Sequence, residues 1–333
     1  MILVTGGTGL LGTYVVLKLA KENQNLKVLI RDENLKENIL YIFKIYEPIN
    51  YQELFNSIHW VKGDILDIYS LEPALEGVTK IYHIAGKISF QEKDKKELYK
   101  VNVGGTRNLV NLSIEKNINK FCYISSIATL DPEIDQNDIY ENSEWNFKTY
   151  HSSYACSKFA AEMEVWRGSQ EGLNVIIICP GVILGSGNWN RSSGMLFDMA
   201  ISNKVYSTKG LTGFVDAEDV ANIIVKLMES DVINEKYIVV SENASYKQVF
   251  SILRRHINQS EPIVISNFLI KSLALLIKVL PTQKKLSRSV VNALINTTTY
   301  SNQKIISKIN YKFKSLEDSL LFHFNNFIKH KNL

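Results

Sequence analysis

A short apolar run, Ile2-Leu3-Val4, leads straight into Thr5-Gly-Gly-Thr-Gly-Leu-Leu-Gly12 and then into Tyr14-Val-Val-Leu-Lys-Leu-Ala20. The first run is partly β-branched and reads as a buried strand, and the last reads as a helix. Gly6, Gly9 and Gly12 lie between them, and Gly7-x-Gly9-x-x-Gly12 fits the same spacing. Glycines here let the chain turn tightly and let its backbone approach a pyrophosphate. The helix N-terminus then offers free N–H groups and the positive end of its dipole. A glycine motif between strand and helix predicts a dinucleotide-binding βαβ start.

Beyond it, short apolar runs alternate with amphipathic stretches. Strands are expected at 2–5, 27–30, 58–61, 80–84, 121–125 and 175–179. That rhythm predicts an α/β fold: a doubly wound parallel sheet, covered on both faces, with right-handed crossovers. After Pro180 the segments shorten and become mostly helical, at 193–202, 219–229, 246–257, 267–280 and 316–329, with strands at 236–240 and 263–265. The expected organisation is a dinucleotide domain over 1–180 and a smaller, mainly helical substrate lobe over 181–333. The chain is expected to cross between the two more than once. The end, Phe322-His-Phe-Asn-Asn-Phe-Ile-Lys-His-Lys, reads as a fraying last helix with a solvated basic tip.

Tyr154-Ala-Cys-Ser-Lys158 carries the chemistry. A tyrosine and a lysine four apart share one helix face. An ammonium beside a phenol favours the phenolate, so the expectation is a Tyr154 pKa lowered by Lys158, giving a proton donor and acceptor usable near neutral pH. Net charge is only +4, with no basic block suited to nucleic acid. Cys122, Cys156 and Cys179 have no metal or redox spacing, which fits reduced thiols in the cytoplasm. The strand at Ile2 leaves no room for a signal peptide there. The most apolar stretch, 268–280, is shorter than the ~20 residues a bilayer span needs. Lys271 and Lys278 share one face of it, so it reads as an amphipathic helix, with membrane-surface or subunit contact as the alternative.

Taken together, these pieces resemble the extended short-chain dehydrogenase/reductase superfamily, in its epimerase and dihydroflavonol-reductase-like branches. His59-Trp-Val-Lys-Gly-Asp64-Ile65 resembles the strand whose aspartate meets the adenine. Ile81-Tyr-His-Ile-Ala-Gly86 resembles the motif beside the ribose and pyrophosphate. Asn102-Val-Gly-Gly-Thr-Arg-Asn-Leu109 resembles the Asn-x-x-Gly-Thr-x-Asn helix. Tyr123-Ile-Ser-Ser-Ile-Ala128 resembles the strand of the catalytic serine, Cys179-Pro-Gly-Val-Ile-Leu-Gly185 the loop over the nicotinamide, and Phe214-Val-Asp-Ala-Glu-Asp-Val220 the stretch under the substrate region.

The resemblance implies a catalytic set of Tyr154, Lys158 and Ser126, with Ser125 facing the other way because strand neighbours alternate. Ser126 would polarise the substrate oxygen that Tyr154 protonates. Lys158 would also hold the nicotinamide ribose. The implied cofactor set is Gly6, Gly9, Leu10, Leu11, Gly12, Arg31, Asp64, Ile65, Ala85, Gly86, Asn102, Lys158, Pro180 and Val182. Lys87 and Arg191 are candidate substrate contacts, and no metal is implied. A homodimer through 97–116 and 150–169 would follow family habit.

Cofactor choice turns on Arg31-Asp32, at 19 and 20 residues after Gly12. An acid at this distance binds the ribose diol of NAD. The Arg-Asp pair resembles NADP-using reductases, whose arginine grips the 2′-phosphate, and Lys36 could add charge. NADP is the expectation, NAD the alternative. Sugar-nucleotide dehydratases carry Thr-Asp-Glu where this chain has Ser126-Ile127-Ala128, which disfavours dehydration. The segment from Leu184 to Ser193 and the pair Ser89-Phe90 resemble reductase-like members. The leading expectation is an NADP-dependent reductase of a ketone or aldehyde, with an NAD-dependent sugar-nucleotide epimerase next. A non-catalytic dinucleotide sensor comes last, because such members usually lose the Tyr–Lys pair.

Overall fold

Apolar strands separated by amphipathic helices assemble into one seven-stranded parallel sheet. In chain order the strands are β1 (Ile2–Thr5), β2 (Leu26–Ile30), β3 (His59–Lys62), β4 (Lys80–His83), β5 (Lys120–Ile124), β6 (Asp138–Ile139), β7 (Val175–Pro180), β8 (Val182–Leu184), β9 (Tyr206–Ser207), β10 (Leu211–Asp216), β11 (Glu235–Val239), β12 (Glu242–Ser245), β13 (Ile263–Val264) and β14 (Thr299–Tyr300). The computed structural model describes residues 1–133, 138–189, 193–270, 272 and 288–332. The sheet order is β11-β7-β5-β4-β1-β2-β3, with every pairing parallel. Strand order reverses between β1 and β4, so a crevice opens at their carboxyl ends, where open α/β sheets bind ligands.

The pleat divides the core. Ile2 and Val4 face one side, with Val28, Cys122 and Ile176, and pack under helices Leu10–Lys21 and Ala217–Glu229. Leu3 faces the other side, with Ile81, Phe121 and Ile177, against helices Gly105–Glu115 and Ser153–Gln170. Both faces are therefore dry, as an all-parallel sheet requires. Cys122 and Cys179 are buried in these strands and, with Cys156, are free thiols.

A third apolar cluster builds the smaller lobe. The sheet β12-β10-β8 is covered by helices Gly194–Ala200, Tyr246–His256 and Leu316–Lys331. Beyond residue 180 the chain returns to the main sheet, because β11 pairs with β7 at its edge. The last helix differs from the fraying terminus expected above. Leu320, Phe324 and Phe327 are fully buried against Trp189 and Phe197, and His323 is buried as well. Its period of three and four hides an apolar stripe among polar residues, so its polar appearance misleads. Most of the stretch expected as a helix over 267–280 lies outside the described residues. No described helix is long and apolar enough to cross a membrane.

Candidate active site

The glycine motif forms the floor. Gly6 has φ +71°, and a Cβ there would sit 2.5 Å from the Ala85 nitrogen. At Gly12 a Cβ would lie 2.1 Å from the Gly6 carbonyl. These glycines press the first turn against the end of β4, at the strand-order reversal. Helix Leu10–Lys21 then starts from Gly9 with no side-chain cap, so its first N–H groups stay open to an anion. Leu11 is buried beneath the turn and Leu10 is half-buried.

Along one rim, Asp64 accepts the Leu66 N–H at 3.0 Å, and Asn108 Nδ2 donates to the Ile65 carbonyl at 3.1 Å. On the other, buried Asn102 sits in a π-helical segment, Tyr99–Gly104, a distortion frequent at functional sites. It accepts the Lys87 N–H at 2.7 Å and donates to the Lys87 carbonyl (3.0 Å) and to Ser157 Oγ (2.9 Å). Asn102 thus fastens the loop after β4 to the Tyr154 helix. Gly86 lies beside it, where a Cβ would be 3.3 Å from Asn102 Oδ1 and 3.9 Å from Lys158 Nζ. Pro180 closes β7, and Gly181, 2.4 Å from the Gly213 carbonyl if given a Cβ, lets the chain step across to Val182.

The helix Ser153–Gln170 is capped by Ser152, whose Oγ accepts the Ala155 N–H at 3.0 Å. Its first turns bring Tyr154 and Lys158 to the ends of β5 and β7. Tyr154 lies close enough to the Ser126 side chain for Ser126 to favour its phenolate. Ser125 points the opposite way and donates to Glu162 Oε2 at 2.6 Å. Lys158 is buried, with its ammonium on the Ile124 carbonyl and 4.2 Å from the Tyr123 ring centre.

The electrostatics correct one expectation. Burial pushes the Tyr154 phenol up to about 12, and Ser126, not Lys158, opposes the rise. Burial also pulls the Lys158 ammonium down to about 7, against the field of Glu162. The i,i+4 spacing placed the two groups on one face, but it gave no measure of desolvation, which is the largest influence on both here.

Arg31 is exposed at the end of β2, and Asp32 is spent as a cap that accepts the Asn34 N–H at 3.0 Å. Lys36 is committed elsewhere, to Glu33 and, at 4.9 Å, to the Trp60 ring. Lys87 forms an ion pair with Glu97, and Arg191 lies outside the described residues.

Residues missed from the sequence stand behind this front. Buried His83 meets Thr5 Oγ1 at 2.8 Å and Thr106 Oγ1 at 2.9 Å, and burial lowers its imidazole to about 3. It joins the glycine turn to the Asn102 helix as a neutral connector. Glu162, wholly buried, lies one turn past Lys158, and a Tyr-x-x-x-Lys-x-x-x-Glu spacing was the signal that could have found it.

The model of the NAD dependent epimerase/dehydratase family matches residues 2–240. The chain belongs to that family. Among curated relatives, a putative dihydroflavonol 4-reductase of Synechocystis sp. is 30% identical over 182 residues, 55% of this chain and 49% of that protein. The match therefore spans about half the length of that relative. Sterol demethylase protein B of Methylococcus capsulatus is 27% identical over 281 residues, 82% of this chain and 80% of its own. Among solved structures, the protein titled gox2253 superposes with a TM-score of 0.85 at 25% identity, over 100% of this chain and 99% of its own. The chain is thus a member of the NAD dependent epimerase/dehydratase family, on a Rossmann sheet.

Proposed function

We propose that this chain is an NADP-dependent oxidoreductase that reduces a ketone or aldehyde, reversibly, with Tyr154, Lys158 and Ser126. Residues 1–180 mainly hold the dinucleotide and 181–333 mainly the substrate. The observation that carries this reading is Tyr154 beside Ser126 and one helical turn from buried Lys158, whose ammonium sits on the Ile124 carbonyl, at the mouth of the glycine crevice. The cofactor supplies the hydride. Ser126 and Tyr154 together hold the substrate oxygen, and a phenol that stays protonated at neutral pH suits the acid role in reduction. The glycine turn, Asp64, Ile65, Ala85, Gly86 and Asn102 line the dinucleotide path, and Pro180 and Val182 cover its reactive end.

Ile88 and Phe90 are exposed on the loop after β4, with Phe90 edge-on to Tyr154 at 5.9 Å between ring centres. An apolar rim beside the acid favours a carbonyl compound with an apolar body. The reductase and demethylase names of the relatives agree with that choice. A cytoplasmic location and a homodimer through helices Gly105–Glu115 and Ser153–Gln170 belong to the same proposal. The second reading, a sugar-nucleotide epimerase with tightly held NAD, draws on the family match, since the same three side chains would suffice. The test is purified protein with NADPH and a panel of carbonyl compounds. NADPH absorbance falls with apolar ketones or aldehydes if the proposal holds, and stays constant throughout if it does not.

Ser126→Ala is expected to lower turnover far more than Ser125→Ala, because only Ser126 faces Tyr154. Steady-state rates of the two variants decide, and the reverse ranking would move the substrate oxygen to the other side of the strand.

Arg31 is expected to set cofactor preference. A guanidinium on the 2′-phosphate contributes about 1.5–3 kcal/mol, or roughly a 10- to 150-fold preference for NADP. Asp32 does not oppose this, since its carboxylate is turned into the cap at Asn34. Titrating both dinucleotides into wild type and Arg31→Ala should show NADP weakened and NAD nearly unchanged. Tighter NAD binding by the wild type would reverse the assignment.

A further inference from the structure

We propose that Glu162, with Lys236 as its counter-ion, is a positioning residue for the reaction: one buried carboxylate ties the turn that carries Ser126 to the helix that carries Tyr154 and Lys158. Glu162 Oε2 accepts from Ser125 Oγ at 2.6 Å and from Thr129 Oγ1 at 3.1 Å. Ser125 precedes the Ile127–Thr129 turn and Thr129 ends it, and the single Thr129 hydroxyl proton is shared between Glu162 Oε2 and the Ser126 carbonyl, 2.8 Å away. Ser126 is therefore gripped from both sides by a group on the Tyr154 helix. Glu162 Oε1 takes the Lys236 ammonium at 2.5 Å and the Trp166 indole N–H at 3.4 Å. Lys236 comes from β11, so the grip passes through the edge strand of the main sheet.

Both Glu162 oxygens accept, and a neutral amide would turn its NH2 toward the donor-only Lys236 ammonium or Trp166 N–H, so the chain buries an ion pair here. Buried ion pairs are weak evidence for stability, so the charge calls for another reason. It lies in Lys158, one helical turn away, whose ammonium burial disfavours and the Glu162 charge favours. The other groups facing this centre are few. Tyr123 and the Ile124 carbonyl from β5 touch Lys158, and His83 from β4 is a ring that burial, with the Lys158 charge, holds near 3 and so neutral. Cys179 of β7 remains a thiol, pushed up to about 12 by burial. On the far side Glu141 accepts the Ile238 N–H at 2.9 Å and adds negative field at Lys236, while Lys304 pairs with Glu235. Glu162 is thus the carboxylate that favours the charged form of Lys158 against burial, while its bonds to Ser125 and Thr129 set the turn that carries Ser126.

This inference rests on the reading of Tyr154, Lys158 and Ser126 given above. The test measures turnover against pH, with cofactor affinity and melting temperature, for Glu162→Gln and Lys236→Met beside Tyr154→Phe. Glu162→Gln keeps the shape and removes the charge. It is expected to move the alkaline limb of turnover to lower pH by roughly one unit, the scale of one nearby charge, to lower turnover at neutral pH about 10-fold, and to leave cofactor affinity within about 2-fold. Lys236→Met frees the Glu162 charge to act on Lys158 and is expected to move the same limb to higher pH. Limbs that stay in place, or move together, overturn the proposal. Should Glu162→Gln not fold, the limb of Lys236→Met decides alone: upward supports, unmoved overturns. Full turnover by Tyr154→Phe would bring down the site reading and this inference with it. An inactive Tyr154→Phe with unmoved limbs brings down Glu162 only.

Discussion

Tyr154→Phe is expected to lower turnover by roughly 100-fold or more while cofactor affinity stays near that of the wild type, since positioned acid catalysis is worth about that much. The hydroxyl is the group that meets Ser126, and the ring is what packs against Phe90. Phenylalanine keeps the second contact and removes the first. Loss of binding and turnover together would mean that the ring supports the site and does not act in it. The measurement is single-turnover reduction beside dinucleotide titration, which separates chemistry from binding. Near-normal turnover would take Tyr154 out of the mechanism.

Asp216→Asn is expected to cost stability on the order of 3–5 kcal/mol, the scale of breaking a buried charged pair. Asp216 is fully buried at the end of β10. One oxygen caps helix Ala217–Glu229 through the Glu218 N–H at 2.8 Å. The other takes Ser319 Oγ at 2.7 Å, His323 Nε2 at 3.1 Å and Lys314 Nζ at 3.1 Å. His323 Nδ1 continues to Ser186 Oγ at 2.9 Å, and the Ser186 N–H donates to Tyr14 on the glycine-motif helix at 2.7 Å. Burial would raise this carboxyl, but His323, Lys314 and Ser319 overcome it and hold the group well below the usual carboxylate range. A folded pKa below the unfolded one adds stability that is complete above the unfolded value, near 3.9, and is lost as pH falls further. Urea unfolding should therefore show a constant gap between wild type and Asn from pH 7 to about 5, narrowing below about pH 4. A gap that is absent at pH 7, or that persists undiminished at low pH, would contradict this account.

That network shows where sequence reading stops. The main sheet was legible because each strand is an apolar run with a local period, and the glycine motif fixed where the chain turns. That Ser125 and Ser126 face opposite ways was legible for the same reason, since strand neighbours alternate, while the choice of Ser126 came from the motif resemblance. Asp216, His323 and Ser186 lie more than a hundred residues apart at their extremes. No local pattern predicts their meeting. His323 looked like part of a polar, fraying end, because the stripe that buries it comes from Leu320, Phe324 and Phe327 acting together. The Tyr154 and Lys158 pKa values failed differently. Spacing said the two share a helix face, but desolvation depends on how β5, β7 and the loop after β4 close around them. Arg31 was legible as a place and not as a choice, because a guanidinium and a carboxylate stand side by side and only the fold turned Asp32 into a cap.

The central claim is net transfer of hydride from a dissociable NADPH to a carbonyl carbon. Its most direct test follows deuterium from NADPH labelled at the nicotinamide C4 during turnover of the compound that gives the fastest NADPH loss. The account predicts one deuterium on the carbinol carbon of the alcohol product and stoichiometric NADP. A product that differs from its substrate only in configuration, with the label still on the dinucleotide, would contradict it and install the epimerase reading.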